Sequence, residues 1–170
     1  IIATAIATGL GTMAALGLSR PHMPYKALIM SILISPMIVP LIITAAGMFF
    51  FYARINLVYT FTGVILAHVA LATPFVVITV TATLVGFDMN MVKASQSLGA
   101  KPLRTFFKVI MPLILPGIIS GALFAFITSF DEVVIVMFMA SIDQLTIPKQ
   151  MWAGIRQEIS PVILCMATCL

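Results

Sequence analysis

Long, almost uninterrupted apolar runs recur along this chain, and they leave little choice of solvent. They cover residues 1–18, 27–52, 57–87 and 113–140, and a last one begins at Pro161. A helix needs about 20 mainly apolar residues to cross a hydrocarbon core about 30 Å thick, so three runs are complete crossings and two are cut. Only 8% of the 170 residues are charged and 62% are hydrophobic, against roughly 25% charged in an ordinary soluble domain. A water-soluble fold of this size cannot hide so much apolar surface. The expected architecture is all-α: a polytopic transmembrane helix bundle.

The chain opens at Ile1 inside an apolar run and stops at Leu170 as another run begins. It is therefore expected to be a fragment, a single transmembrane domain over residues 1–170 that is truncated at both ends. The first run has no basic segment before it and no small-residue cleavage site followed by a polar domain, so it reads as the end of a membrane helix and not as a signal peptide. Orientation follows from the retention of Lys and Arg on the cytoplasmic side of short loops. Alternate loops sort into two sets: Arg20, Lys26, Lys93, Lys101, Arg104 and Lys108 against Arg54, Lys149 and Arg156. Residues 19–26 and 88–112 are accordingly assigned to the cytoplasm. This distribution accounts for the net charge of +4 without nucleic acid.

Pro36, Pro40 and Pro74 fall inside the apolar runs, where each removes a backbone donor and tends to kink a helix. Neighbouring helices or water can satisfy the freed carbonyls in a membrane protein. Cys165 and Cys169 are four apart in the last run, on one helical face, and read as small packing residues, not as a metal or disulfide site.

The polar stretch 88–112 is the most informative. Asp88 is a plausible N-cap, and Met91, Ala94 and Leu98 form an apolar stripe on a short helix. Gly99 suits a left-handed stop. A second short helix is expected after Lys101 and Pro102, with Leu103, Phe106, Phe107 and Ile110 apolar and Arg104 and Lys108 on a basic face. Pro112 and Pro116 mark the start of the next span. Amphipathicity alone allows such a helix pair to lie on lipid, to pack internally or to dock into a groove on another protein.

The residues themselves favour docking. Lys93-Ala94-Ser95-Gln96-Ser97-Leu98-Gly99, the basic helix after it, and Met111-Pro112-Leu113 followed by Pro116-Gly117-Ile118 resemble the EAA loop of type I ABC importer permeases. The family pattern is E-A-A-x-x-L-G, a short basic helix, a hydrophobic L-P turn and P-G-I. The resemblance implies a permease subunit of an ATP-driven importer in the bacterial inner membrane. Its loop would be a coupling helix pair docking on ABC ATPase subunits, through Lys93, Ala94, Ser95, Leu98, Gly99, Lys101, Arg104, Phe106, Lys108 and Pro112. A second permease subunit and a periplasmic substrate-binding protein are further implied partners, alongside membrane lipid. No cofactor is implied, ATP being bound by the partner subunit. Lys93 stands where the family has glutamate, which reverses a charge and implies a compensating acid on the ATPase. Downstream, Ser129 to Ile135, Leu145 to Trp152 and Arg156 to Pro161 look like the spermidine and putrescine branch, with sulfate, ferric iron and thiamine permeases as alternatives.

Asp131 and Glu132 lie in an apolar run, where an acid near the bilayer centre costs about 2.5–3.5 kcal/mol. One reading has at least one of them facing a substrate path that attracts a cationic amine. The other has them hydrogen-bonded in a helix break or at the outer interface. His68, mid-span, is a third candidate for the path, though a histidine bonded between helices is the commoner arrangement. Phe49, Phe50, Phe51, Tyr52, Tyr59 and Trp152 read as interfacial aromatics, and residues 148–159 as a surface helix on the outer side. The chain has no G-x-x-x-x-G-K-[ST] and no H-E-x-x-H sequence, so a transport subunit is expected, not an enzyme. An ion-coupled carrier or channel also suits kinked helices and buried acids, but has no evident use for the cytoplasmic helix pair.

Overall fold

The computed structural model describes residues 1–20, 23–157 and 161–169. These residues form helices and no strand: α1 (Ile2–Leu18), α2 (Lys26–Ile38), α3 (Leu41–Arg54), α4 (Phe61–Val85), α5 (Asn90–Ser97), α6 (Pro102–Asp131), α7 (Val134–Met139), α8 (Ile147–Gln157) and α9 (Pro161–Cys169). Two helices, α4 and α6, are long and apolar enough to cross a membrane, or three spans if α2 and α3 are counted as one bent unit.

Helices α1, α4 and α6 make the core. Apolar side chains have no water to escape inside a bilayer, so helices there associate through close packing, which small residues permit. Gly117 and Gly121, four apart on α6, meet the Thr79 and Thr83 side chains of α4, and Gly121 also meets the Val76 backbone. A β-carbon built at Gly121 lies 3.0 Å from Val76 Cα, and one at Gly117 would collide with the Thr83 hydroxyl. The half-buried threonines fit there because each satisfies its own hydroxyl: Thr79 donates to the Phe75 carbonyl at 3.0 Å and Thr83 to the Thr79 carbonyl at 2.9 Å. Ala3, Ala7, Ala15, Val69, Ala72, Val76, Val80, Ile114 and Ala125 fill the space among the three helices.

These contacts set direction. Gly121 opposite Val76 and Gly117 opposite Thr83 make α4 and α6 antiparallel. Gly11 packs on Val76, and Ile1 shares a cavity with Ser129 at the far end, so α1 runs parallel to α4. Residues 19–26 and the α4–α6 connection therefore emerge at the same end of the bundle, the end the basic residues assign to the cytoplasm. Pro21 and His22 of the first loop lie outside the described residues.

Two runs expected as single crossings are divided. The 27–52 run breaks between α2 and α3, whose axes differ by 104°. Val39 is extended at φ −70°, ψ 135° and Pro40 at φ −52°, ψ 128°, because the ring of Pro40 disfavours the helical conformation at the residue before it. The 113–140 run ends as a helix at Asp131, and α7 is a separate short helix. Pro74, by contrast, is buried within α4, which continues through it. Helices α3 and α7 form a second packing centre around Ala45, Ala67, Leu71, Ile135 and Met139. The Met139 carbonyl accepts the Tyr59 N–H at 2.9 Å, and the Gln144 side chain donates to the Tyr59 carbonyl at 3.2 Å, which clasps the outer loop between α3 and α4 to the chain after α7.

Phe50 and Phe51 are exposed, as expected of interfacial aromatics, whereas Phe49 and Tyr52 pack on the second centre, Phe49 edge-on to Phe138. Of the surface helix expected over residues 148–159, the described part is helical, as α8. Glu158, Ile159 and Ser160 and the side chains of Arg156 and Cys169 lie outside the described residues, so the shared face of the two cysteines does too; Cys165 is exposed.

Candidate functional site

At the end of the bundle that carries the basic loops, an Asp88 carboxylate oxygen accepts the Asn90 N–H at 2.9 Å. The N-cap position itself is Met89, already helical at φ −61°, ψ −13° and without a side-chain cap bond, so α5 begins one residue later than a cap at Asp88 implies. It stops at Gly99, with φ +78°. The Gly99 N–H donates to the Gln96 carbonyl at 2.9 Å and the Ala100 N–H to the Ser95 carbonyl at 3.1 Å, the paired bonds of a left-handed helix stop that only glycine adopts without strain. Pro102 then occupies the first turn of α6, where its missing N–H costs nothing.

The second amphipathic helix is not a separate element, as the sequence suggested. It is the first part of α6, which runs unbroken from Pro102 to Asp131. Phe106–Ile110 form a π-helical turn. Such a widened turn takes up a residue without ending the helix, and it lies just before Pro112, whose ring would crowd the carbonyl four residues earlier in a regular α-helix. A hydroxyl pair, Ser95 Oγ to Thr105 Oγ1 at 3.0 Å, joins α5 to this first part of α6, and Thr105 is buried.

The apolar stripe of this pair faces outward. Leu98 is 88% exposed, Leu103 74% and Phe107 62%, while Met91 and Ala94 are also exposed and Phe106 and Ile110 are half-buried. Lys93, Lys101, Arg104 and Lys108 are exposed around it, and Asp88 is the one acid in residues 88–112. Between α5 and α6 lies a concavity of about 530 Å³ lined by Met91, Ala94, Ser95, Leu98, Arg104 and Val109. The face is thus apolar at its centre, basic at its edge and unfilled by its own chain.

Near the other end, His68, Asp131 and Glu132 have three different environments. His68 is 5% exposed, and its Nδ1 is 3.0 Å from Ser129 Oγ, a bond between α4 and α6. Glu132 is 6% exposed and turned back on α7: its carboxylate accepts the Ile135 N–H at 2.8 Å and the Val136 N–H at 3.4 Å. It acts as a cap for α7, whose free N–H groups favour a negative charge. Asp131, the last residue of α6, is exposed.

A cavity of about 550 Å³ opens where α2 breaks. Pro36, Val39, Pro40, Phe75, Thr128, Asp131 and Glu132 are among its lining residues, and His68 is not. Asp131 is therefore the carboxylate with both exposure and a cavity in front of it. The break that makes the cavity was foreshadowed by two prolines four apart; the Ser129 partner of His68 had no signal, because their bond joins residues 61 positions apart. Among the described residues no three His, Cys, Asp or Glu side chains converge on a metal site.

Residues 7–170 match the family described as binding-protein-dependent transport system inner membrane component. The chain is 30% identical over 166 residues to the spermidine/putrescine transport system permease protein PotC of Haemophilus influenzae, covering 98% of this chain and 65% of that protein. It is 28% identical over 170 residues to PotC of Escherichia coli K12, covering 100% and 64%. Over 103 residues it is 37% identical to the putrescine transport system permease protein PotI of the same strain, 61% of this chain and 37% of that one. The chain spans just under two thirds of the length of the two PotC relatives.

Proposed function

This chain belongs to the family of binding-protein-dependent transport system inner membrane components, and from that premise we propose that it is the membrane-spanning permease part of an ATP-driven importer for polyamines. The observation that carries the reading is α6: one continuous helix that begins in the basic, outward-facing apolar patch and ends at the exposed carboxylate of Asp131. At 1.5 Å per residue its 30 residues span about 45 Å.

In this reading an ATPase subunit, which binds and hydrolyses ATP, seats α5 and the exposed Leu98, Leu103 and Phe107 in a groove. Lys93, Lys101, Arg104 and Lys108 set the charge of that groove, so Lys93 calls for an acid on the ATPase. Gly99 fixes the angle between the two helices, and Ser95 and Thr105 keep them together. Movement of the seated helices passes along α6, which Gly117 and Gly121 lock against α4. The permease itself needs no cofactor. A second permease subunit completes the path, and a periplasmic binding protein delivers substrate from the outer side.

The substrate class rests on Asp131 and on the relatives. An accessible carboxylate beside an apolar cavity favours a cation with an alkyl body, and PotC and PotI are by name permeases for spermidine and putrescine. Glu132 contributes by holding α7, and His68 by holding Ser129. The test is uptake of labelled putrescine and spermidine by cells with or without the full-length gene, its transporter neighbours present, the proton gradient collapsed and ATP maintained. Gene-dependent uptake that survives collapse is the expected result; uptake that dies with the gradient would make the protein a carrier.

A further inference from the structure

Asp131 lines two cavities. One is the cavity at the α2 break. The other, of about 650 Å³, lies between the end of α6 and helix α8, and its walls include Phe126, Phe130, Met151, Trp152 and Ile155 with Asp131 as the acid among them. Phe126 and Phe130 are stacked, with ring centroids 5.6 Å apart. Among the described residues the walls are thus aromatic and aliphatic around one carboxylate. An ammonium group is attracted to aromatic faces as well as to a carboxylate, and a methylene chain is accommodated by the aliphatic remainder. An anionic solute is opposed by Asp131, and a neutral one gains no charge pairing from it.

We infer that this outer cavity is a landing subsite for the ammonium end of a linear alkylamine, which Asp131 then passes to the cavity at the α2 break. This inference rests on the proposed polyamine import and adds a position to it. Because one carboxylate borders both cavities, an ammonium group can move from the first to the second without losing its counter-charge. For a diamine or triamine the second ammonium can occupy the outer aromatic walls while the first has advanced. Trp152, on α8 and facing this cavity, is then a specificity-determining residue that acts on capture and not on the later conformational cycle.

The test uses the complete transporter in proteoliposomes, with labelled putrescine and spermidine supplied over a range of concentrations. Trp152→Leu stays apolar and removes the aromatic face; it is expected to raise the half-saturating concentration about 10-fold with little change in maximal rate, while Trp152→Phe, which is also smaller than Trp but keeps an aromatic face, stays within about 3-fold of the original. As a direct readout, a cysteine placed at Ile155 should react with a maleimide more slowly when spermidine is present, and this protection should vanish with Asp131→Asn. Equal half-saturation for Trp152→Leu and the original protein, or an Ile155 cysteine indifferent to spermidine, overturns the landing subsite and makes the cavity an apolar filler. If Asp131→Asn abolishes uptake in that same experiment, the proposed import still stands. If the unsubstituted transporter moves no alkylamine at all, both readings fall.

Discussion

The two ends of α6 meet the same long helix in opposite ways. At the cytoplasmic end the working residues are consecutive: α5, the Gly99 stop and the first turns of α6 are joined by local bonds, and their apolar side chains are left facing out. At the other end the residues come from separate stretches, with α2, α3, α4, α6 and α8 each contributing to the cavities beside Asp131. A docking face can be built from one short segment because the partner supplies the other wall. The cavities beside Asp131 are instead lined by distant segments of the chain, which the breaks at Pro40 and after Asp131 bend around it.

The comparison is sharpened first where the two ends are tied together. Gly121→Leu places a large side chain against the α4 backbone. Overpacking costs about 1–3 kcal/mol where side chains can yield, and here backbone opposes it; the expected outcome is the largest of the series, loss of assembled permease in a thermal-stability assay in detergent. Next, Asp131→Asn should lower uptake efficiency about 100-fold by removing a charge-assisted contact while leaving the amount and melting temperature of the protein unchanged.

Glu132→Gln should do the reverse. Loss of a charged cap costs about 1 kcal/mol, so melting temperature falls measurably while uptake is reduced far less than by Asp131→Asn. Equal loss of uptake from both changes would break the distinction between a path carboxylate and a capping one. At the cytoplasmic end, Gly99→Ala strains a φ of +78° by about 1–2 kcal/mol; ATPase co-purification should weaken while amine binding from the outside is unaffected. Lys93→Glu should weaken co-purification by a smaller factor, and added salt should narrow the difference from Lys93→Gln, since exposed charges are screened.

The contrast also explains what was legible in the sequence. Gly99 and Pro102 announce their roles because left-handed stops and first-turn prolines depend on neighbours in the chain; Asp88 does so only in part, bonding the Asn90 N–H while Met89 holds the N-cap position. The basic residues likewise sort two loops to one end, and the packing of α1, α4 and α6 places those loops together. The continuity of α6 through Pro112 was not legible: the proline argues for a boundary, and the π turn that absorbs it depends on backbone geometry and not on a composition signal. The bond from His68 to Ser129 and the turning of Glu132 onto α7 were equally hidden, since they follow from how α4, α6 and α7 are brought together. Glu132 and Asp131 are adjacent and chemically alike, and only the end of α6 between them separates a capping carboxylate from an exposed one.

The central claim is that α6 carries movement from the docking face to Asp131 as a rigid rod, with the π turn as part of the rod. Spin labels at Leu103 and Ile127, both exposed, bracket that turn and are about 36 Å apart along the axis. Their separation should be measured in the assembled transporter, in a labelled form that retains uptake, without nucleotide and in a trapped ATP state. A separation constant to within about 2 Å is expected while distances from either label to the partner permease change. A shift of one helical turn or more between Leu103 and Ile127 would contradict it and make Phe106–Ile110 a hinge.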